Sequence, residues 1–189
     1  MVQLSAVIIT FNEESNITRC ILSLKAVADE IIVVDSYSTD NTAGIARSLG
    51  ATVYQEKFRG YIGQKNFALQ LASHRYVLSL DADEELDEKL IASILEEKKS
   101  FPKRAYCMNR CTRLSGHFIK HGLWYPDKKL RLFNRQLGKC GGLNPHDKII
   151  MELMQKNLYQ ASSQMKKQKS EKASKWKNRR EFGYSAFYY

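Results

Sequence analysis

A chain of 189 residues is long enough for one domain with a substantial core and too short for two of ordinary size. Its formal charge of +10 is unevenly spread: residues 154–189 hold nine Lys and Arg against two Glu, while residues 1–153 are nearly balanced, with 21 basic and 18 acidic side chains. A balanced body without a nucleic-acid-binding module argues against nucleic acid as a partner, and no apolar run reaches the length needed to cross a bilayer.

Residues 4–10 form a continuous apolar, β-branched run, suited to a strand buried on both faces of a parallel sheet. Ile17, Cys20, Ile21 and Leu24 then recur at helical spacing, with Glu13 and Glu14 placed to oppose the helix dipole. A second buried strand is expected over 30–35, followed by a helix over 40–49 that Gly50 ends with a left-handed cap. A short strand at 51–54, a loop at 60–63 and a helix at 64–72 burying Phe67, Ala68 and Leu71 lead into a central strand at 76–80. Four strands alternating with three helices imply βαβ units, hence an α/β fold with a mostly parallel sheet and helices on both faces.

Residues 87–99 add a helix with the apolar stripe Leu90, Ile91, Ile94 and Leu95. From residue 105 the pattern changes. Residues 105–113 and 128–134 alternate polar and apolar, as antiparallel strands do, around a loop at 116–126 rich in His and aromatic residues. The domain so read covers 1–153, and residues 154–189 form a basic tail whose low hydrophobicity and high charge predict disorder or a loose helix. Its basic residues, followed by Phe182, Tyr184, Phe187, Tyr188 and Tyr189, would suit an anionic membrane surface; a truncation or an altered reading frame would give the same composition.

Met1-Val2-Gln3 carries no basic-then-apolar export signal, so a cytoplasmic location is expected, possible peripheral membrane contact included. Reduced thiols then follow for Cys20, Cys107, Cys111 and Cys140. Cys107, Cys111, His117 and His121 have a metal-like spacing, but only five residues separate the Cys pair from the His pair, and half-buried strand cysteines are the plainer reading.

The chemistry concentrates where strands end. Asp81 and Asp83 follow an apolar run and emerge from one face of an extended backbone, a clamp for a divalent cation such as Mg²⁺ or Mn²⁺ and, through it, for a phosphorylated substrate. The alternative is acidic charge in the first turn of the next helix. Thr10, Asn12 and Glu13 follow the first strand and Asp35 the second, and in open α/β sheets ligands bind at those carboxyl ends. Residues 38–42 read more readily as turn and cap chemistry.

Four ordered segments now stand out: 6–14 (Ala-Val-Ile-Ile-Thr-Phe-Asn-Glu-Glu), 33–42 (Val-Val-Asp-Ser-Tyr-Ser-Thr-Asp-Asn-Thr), 64–68 (Gln-Lys-Asn-Phe-Ala) and 80–84 (Leu-Asp-Ala-Asp-Glu). Together they resemble family 2 glycosyltransferases of GT-A fold, and residues 121–133 with 144–147 add a narrower resemblance to bacterial lipopolysaccharide-core glucosyltransferases. The resemblance implies a UDP-sugar or similar nucleotide-sugar donor, a divalent metal, and a glycan or lipid-linked acceptor. By the same resemblance Thr10, Asn12 and Glu13 hold the nucleoside, Asp35 reads its base or ribose, and Lys65 lies near the nucleotide. Asp83 binds the metal, while Asp81 orients the ribose or a metal-bound water. Asp147 is the expected catalytic base, with His146 beside it as an alternative metal or catalytic group and Asp127 a second candidate base; Asp147 also reads as the first residue of a helix over 149–153. Trp124 and Tyr125 could stack on a sugar or pack in the core, and Lys129 and Arg131 could meet acceptor phosphates or simply be solvated. A nucleotidyltransferase is the alternative enzyme class, but the loop at 10–14 lacks the glycine-rich, basic character that class needs.

Overall fold

The computed structural model describes residues 1–114, 117–119, 125–143, 146–152 and 180–188. Eight strands lie on one path in the order β3 (Thr52–Gln55), β2 (Glu30–Asp35), β1 (Leu4–Thr10), β4 (Tyr76–Asp81), β8 (Asp127–Asn134), β6 (Ala105–Leu114), β11 (Arg180–Tyr188), β5 (Glu84–Leu86), with β7 (His117–Phe118) paired to β6 as the ninth of the sheet. The first half is parallel: β1 (Leu4–Thr10) is flanked by β2 (Glu30–Asp35) and β4 (Tyr76–Asp81), and β3 (Thr52–Gln55) pairs with β2. Beyond β4 the next two pairings are antiparallel, as β8 (Asp127–Asn134) runs antiparallel to β4 and to β6 (Ala105–Leu114).

Side-chain alternation along β1 builds two cores. Leu4, Ala6 and Ile8 face α1 (Ile17–Leu24) and α4 (Glu88–Glu97), while Val7 packs with Val34, Val77 and Phe133 beneath α3 (Gly60–Leu71). The helical stripe of α1 is as the sequence spaced it, with Ile17, Cys20, Ile21 and Leu24 all buried. Helices therefore cover both faces, which is what a parallel sheet with apolar strands requires.

Several boundaries move for local reasons. α2 is Thr42–Ser48, shorter than the expected 40–49, because the Asp40 carboxylate accepts from the Thr42 amide at 3.0 Å and makes a turn there; Gly50 does take the left-handed conformation, at φ 86°. The expected loop at 60–63 is the first turn of α3, tied down by Gln64, whose amide donates to the Glu56 carbonyl and to Ser36 Oγ, both at 3.1 Å. β5 (Glu84–Leu86) interrupts the approach to α4, whose cap is Asp87, accepting from the Leu90 amide at 2.7 Å. The expected helix at 149–153 is instead strand: β9 (Gly138–Leu143) and β10 (His146–Met151) form a separate two-stranded sheet. Its hairpin lies close against β8, since a Cβ at Gly138 would come within 2.8 Å of the Phe133 ring.

The expected boundary at 153 lies outside the described residues, as do residues 154–179, Tyr189, His121 and Trp124. β11 (Arg180–Tyr188) hydrogen-bonds parallel to β6 and antiparallel to β5, so the end of the chain returns to the sheet. No helix among the described residues is long and apolar enough to cross a membrane.

Two substitutions separate core from cap. Leu78, fully buried in the central strand, should cost about 2–5 kcal/mol when replaced by Ala, whereas Asp87→Ala should cost about 1 kcal/mol; denaturant unfolding of both variants reads the difference.

Candidate functional site

The carboxyl ends of β1, β2 and β4 open on a cleft of about 640 Å³, lined by Thr10, Phe11, Glu13, Ser36, Asp81 and Asp83, with Phe58 and Tyr61 at its side. Two loops that shape it are stitched to each other. Asn12, at φ 54°, accepts from the Thr39 amide at 2.8 Å through Oδ1, and its own amide donates to Ser38 Oγ at 2.9 Å. The Glu13 amide donates to Thr42 Oγ1 at 2.9 Å, and the Asn41 amide to the Glu14 carboxylate at 2.8 Å. Asn12 thus shapes the loop with its side chain, while the Glu13 carboxylate accepts from Asn16 Nδ2 at 2.6 Å.

Asp35 is fully buried at the end of β2. Its Oδ2 accepts from the Ser38 amide at 3.0 Å and its Oδ1 from the Ser38 hydroxyl, which fixes the carboxylate at the strand end. Thr10 is buried next to it, and its hydroxyl has no hydrogen-bond partner among the described residues, a group left for a ligand to satisfy.

Asp81 and Asp83 sit in different environments. Lys65 Nζ lies 2.9 Å from Asp81 Oδ1 and Arg131 Nη2 lies 3.1 Å from Oδ2, so each oxygen faces a cation. Burial would raise the Asp81 carboxyl, but Arg131 and Lys65 outweigh it and hold the group down to about 2. For Asp83 burial and the neighbouring charges of Asp81 and Glu13 act together and push it up; no basic side chain pairs with it among the described residues. Arg19 fixes the turn that carries it, donating from Nη2 to the Asp83 carbonyl at 3.3 Å.

The pairing of two members of this cluster was not foreseen in the sequence reading, which offered Arg131 as an acceptor-phosphate contact or a solvated charge. Arg131 is nearly buried and pairs with Glu84 as well as Asp81; it is neither a solvated edge charge nor free to meet an acceptor. Glu84 is fully buried, and burial together with Asp81 and Asp83 pushes its carboxyl up to about 7 despite Arg131. The signal was present: Arg131 interrupts the apolar strand Leu130 to Phe133, and an Arg placed among buried neighbours needs an acidic partner.

Lys65 also lies 3.0 Å from Asp147 Oδ2, so one ammonium bridges the end of β4 and strand β10. The Cys140 thiol donates to the same oxygen at 3.4 Å, and burial followed by the Asp147 charge pushes that thiol up to about 12, which keeps it protonated. His146 does not join the site: it is exposed and adjacent to Asp147 on a strand, so the two project to opposite faces. Asp127 pairs with Arg110 at 2.6 Å and with Lys129 at 3.2 Å. No group of three or more His, Cys, Asp or Glu side chains among the described residues is arranged to hold a metal by itself, and the Cys111 thiol donates to the Ile119 carbonyl.

A sequence profile of glycosyl transferase family 2 matches residues 5–158. The chain belongs to that family. An uncharacterised glycosyltransferase of Rickettsia typhi is 40% identical over 141 residues, which are 74% of this chain and 45% of that protein. The lipopolysaccharide core biosynthesis glycosyltransferase LpsC of Rhizobium meliloti is 46% identical over 92 residues, 46% of this chain and 34% of that one. The chain spans less than half the length of these curated relatives. Among solved structures, TarS of S. aureus superposes with a TM-score of 0.56 at 21% identity, over 72% of this chain and 48% of that one. Glucosyl-3-phosphoglycerate synthase of Mycobacterium tuberculosis, solved with Mn²⁺, UDP and glucosyl-3-phosphoglycerate, gives 0.53 at 20% identity, over 72% and 58%. These neighbours share the GT-A fold with this chain.

Because the Asp81 carboxyl is held below its ordinary 3.8, it stabilises the fold above that pH, and the contribution is lost as pH falls toward about 2. Asp81→Asn should therefore flatten the fall in stability across this window, read as denaturation midpoints between those two pH values; an unchanged slope would remove Asp81 as the titrating group.

Proposed function

We propose that this family 2 domain moves a hexose, glucose from UDP-glucose, with inversion onto a hydroxyl of a lipopolysaccharide-core or related glycan. The observation that carries the reading is that Thr10, Asp81 and Asp83 line one cleft, with Asp35 buried at the neighbouring strand end and Asp147 linked to Asp81 through Lys65. The donor assignment draws support from structural neighbours solved with UDP-GlcNAc or with UDP and Mn²⁺, and the acceptor class from the named role of LpsC.

The residues present fit a divalent cation. Asp83 is a half-buried carboxylate among negative neighbours, unpaired with any base among the described residues, and its oxygens are the hard donors Mg²⁺ and Mn²⁺ prefer. Asp81 is occupied by Lys65 and Arg131, which leaves Asp83 as the direct ligand, with donor phosphates completing the coordination. When bound, such a cation neutralises charge developing on the departing diphosphate.

The chain's own residues supply the rest. Asp35 and Thr10 offer hydrogen bonds to the nucleoside at the ends of β2 and β1, as the family resemblance expects. Asp147 takes the proton of the acceptor hydroxyl as that oxygen attacks the anomeric carbon from the side opposite the diphosphate, which inverts the configuration there. Lys65 orients Asp147 through its 3.0 Å contact. Peripheral contact with an anionic membrane through the basic tail belongs to this proposal on charge alone and would bring the site to lipid-linked acceptors.

Calorimetry of UDP-glucose and rival nucleotide-sugars with and without Mn²⁺ tests the donor and the cation. Wild type should prefer UDP-glucose in Mn²⁺, and Asp83→Ala should weaken that binding at least about tenfold; equal, metal-independent binding by both proteins removes Asp83 from the cation site. Asp147→Asn should lower turnover about 10²- to 10⁴-fold at unchanged donor affinity, and wild-type turnover in that variant would remove Asp147 as the base.

A further inference from the structure

β9 and β10 bond to each other and not to the main sheet, although β10 carries Asp147. Sheet pairing therefore does not fix the height of the base over the cleft. One end of the hairpin is anchored: Met151 is buried among Ala68, Leu69 and Phe133, and the Glu152 amide donates to the Leu137 carbonyl at 2.7 Å. Toward the turn there is little to bury. Gly141 and Gly142 have no side chains to pack, and Leu143 is 80% exposed.

Asn66 on α3 meets the hairpin between these regions. Its Oδ1 accepts from the Cys140 amide at 2.8 Å, and its Nδ2 donates to the Cys140 carbonyl at 2.9 Å. One side-chain amide thus satisfies both backbone groups of a residue on β9, as a neighbouring strand would. Cys140 in turn donates its thiol to Asp147, and Lys65, the residue before Asn66, reaches the same carboxylate oxygen. Two consecutive residues of α3 therefore divide the task, Asn66 seating the hairpin and Lys65 aiming the carboxylate.

We infer that Asn66 is a positioning residue for the general base, acting through Cys140 and the β9–β10 pairing rather than on substrate. The inference rests on the reading of Asp147 as the base. A displacement of about 1 Å at a reacting group can cost on the order of 10²-fold in rate, so loss of this dock should register in turnover before it registers in donor binding.

Two readouts on the full chain test it. Iodoacetamide labelling at Cys140, followed by mass spectrometry, should run at least tenfold faster in Asn66→Ala than in wild type, while Cys20, on the buried face of α1, labels at the wild-type rate. Release of UDP from UDP-glucose in Mn²⁺, with water as acceptor, should fall at least tenfold in turnover at unchanged KM, and Asn66→Asp, which keeps the oxygen facing the Cys140 amide, should recover part of the loss. Wild-type labelling of Cys140 in Asn66→Ala overturns the dock, and parallel exposure of Cys20 overturns it as well, because Asn66 would then support the whole fold. If Asp147→Asn keeps wild-type turnover, the base assignment fails, while Cys140 labelling still decides whether Asn66 seats the hairpin.

Discussion

The Asp81 carboxylate, held between Lys65 and Arg131, ties together the parts of this domain that the site needs. A carboxylate at the end of a buried central strand is costly unless cations meet it, and here they come from α3 on one side and from β8 on the other. Arg131 lies on the antiparallel strand paired with β4, so its contact with Asp81 reports the register of β8 on β4. Lys65 extends the same charge system to Asp147 on the hairpin. One central anion thus links the parallel half, the antiparallel half and the detached hairpin.

That arrangement divides two aspartates that are one residue apart. Asp81 is neutralised by the protein itself and serves as framework, whereas Asp83 remains a carboxylate without a basic partner among the described residues, facing the cleft. Glu84 takes the other share of Arg131 from inside the fold and is raised by its burial. The density of acidic groups at the end of β4 is sustained by the two cations built in, Lys65 and Arg131.

Much of this was legible in the amino-acid order, and the limits are physical. Apolar runs ending in Thr10, Asp35 and Asp81 mark buried parallel strands and the rim where ligands bind, because a strand covered on both faces admits polar groups only at its end. The spacing of Ile17, Cys20, Ile21 and Leu24 likewise fixed α1. Arg131 and Glu84 escaped because their pairing spans 47 residues, and no local pattern reports which distant acid a buried Arg will meet. The hairpin escaped because the glycines of β9 dilute its alternation, while Asp147 before Ile149 and Ile150 imitates a helix start. His146 was paired with Asp147 by adjacency, yet adjacency on a strand separates side chains to opposite faces.

The claim most exposed to measurement is that Asp81 and Arg131 bind the two halves as one coupled unit. A double-mutant cycle with Asp81→Asn, Arg131→Met and the pair, read by denaturant unfolding at neutral pH, measures it directly. A coupling energy of about 1–3 kcal/mol is expected, with the double variant less damaged than the two single losses added together. Additive losses, within about 0.5 kcal/mol, would contradict it and leave Asp81 and Arg131 as independent neighbours.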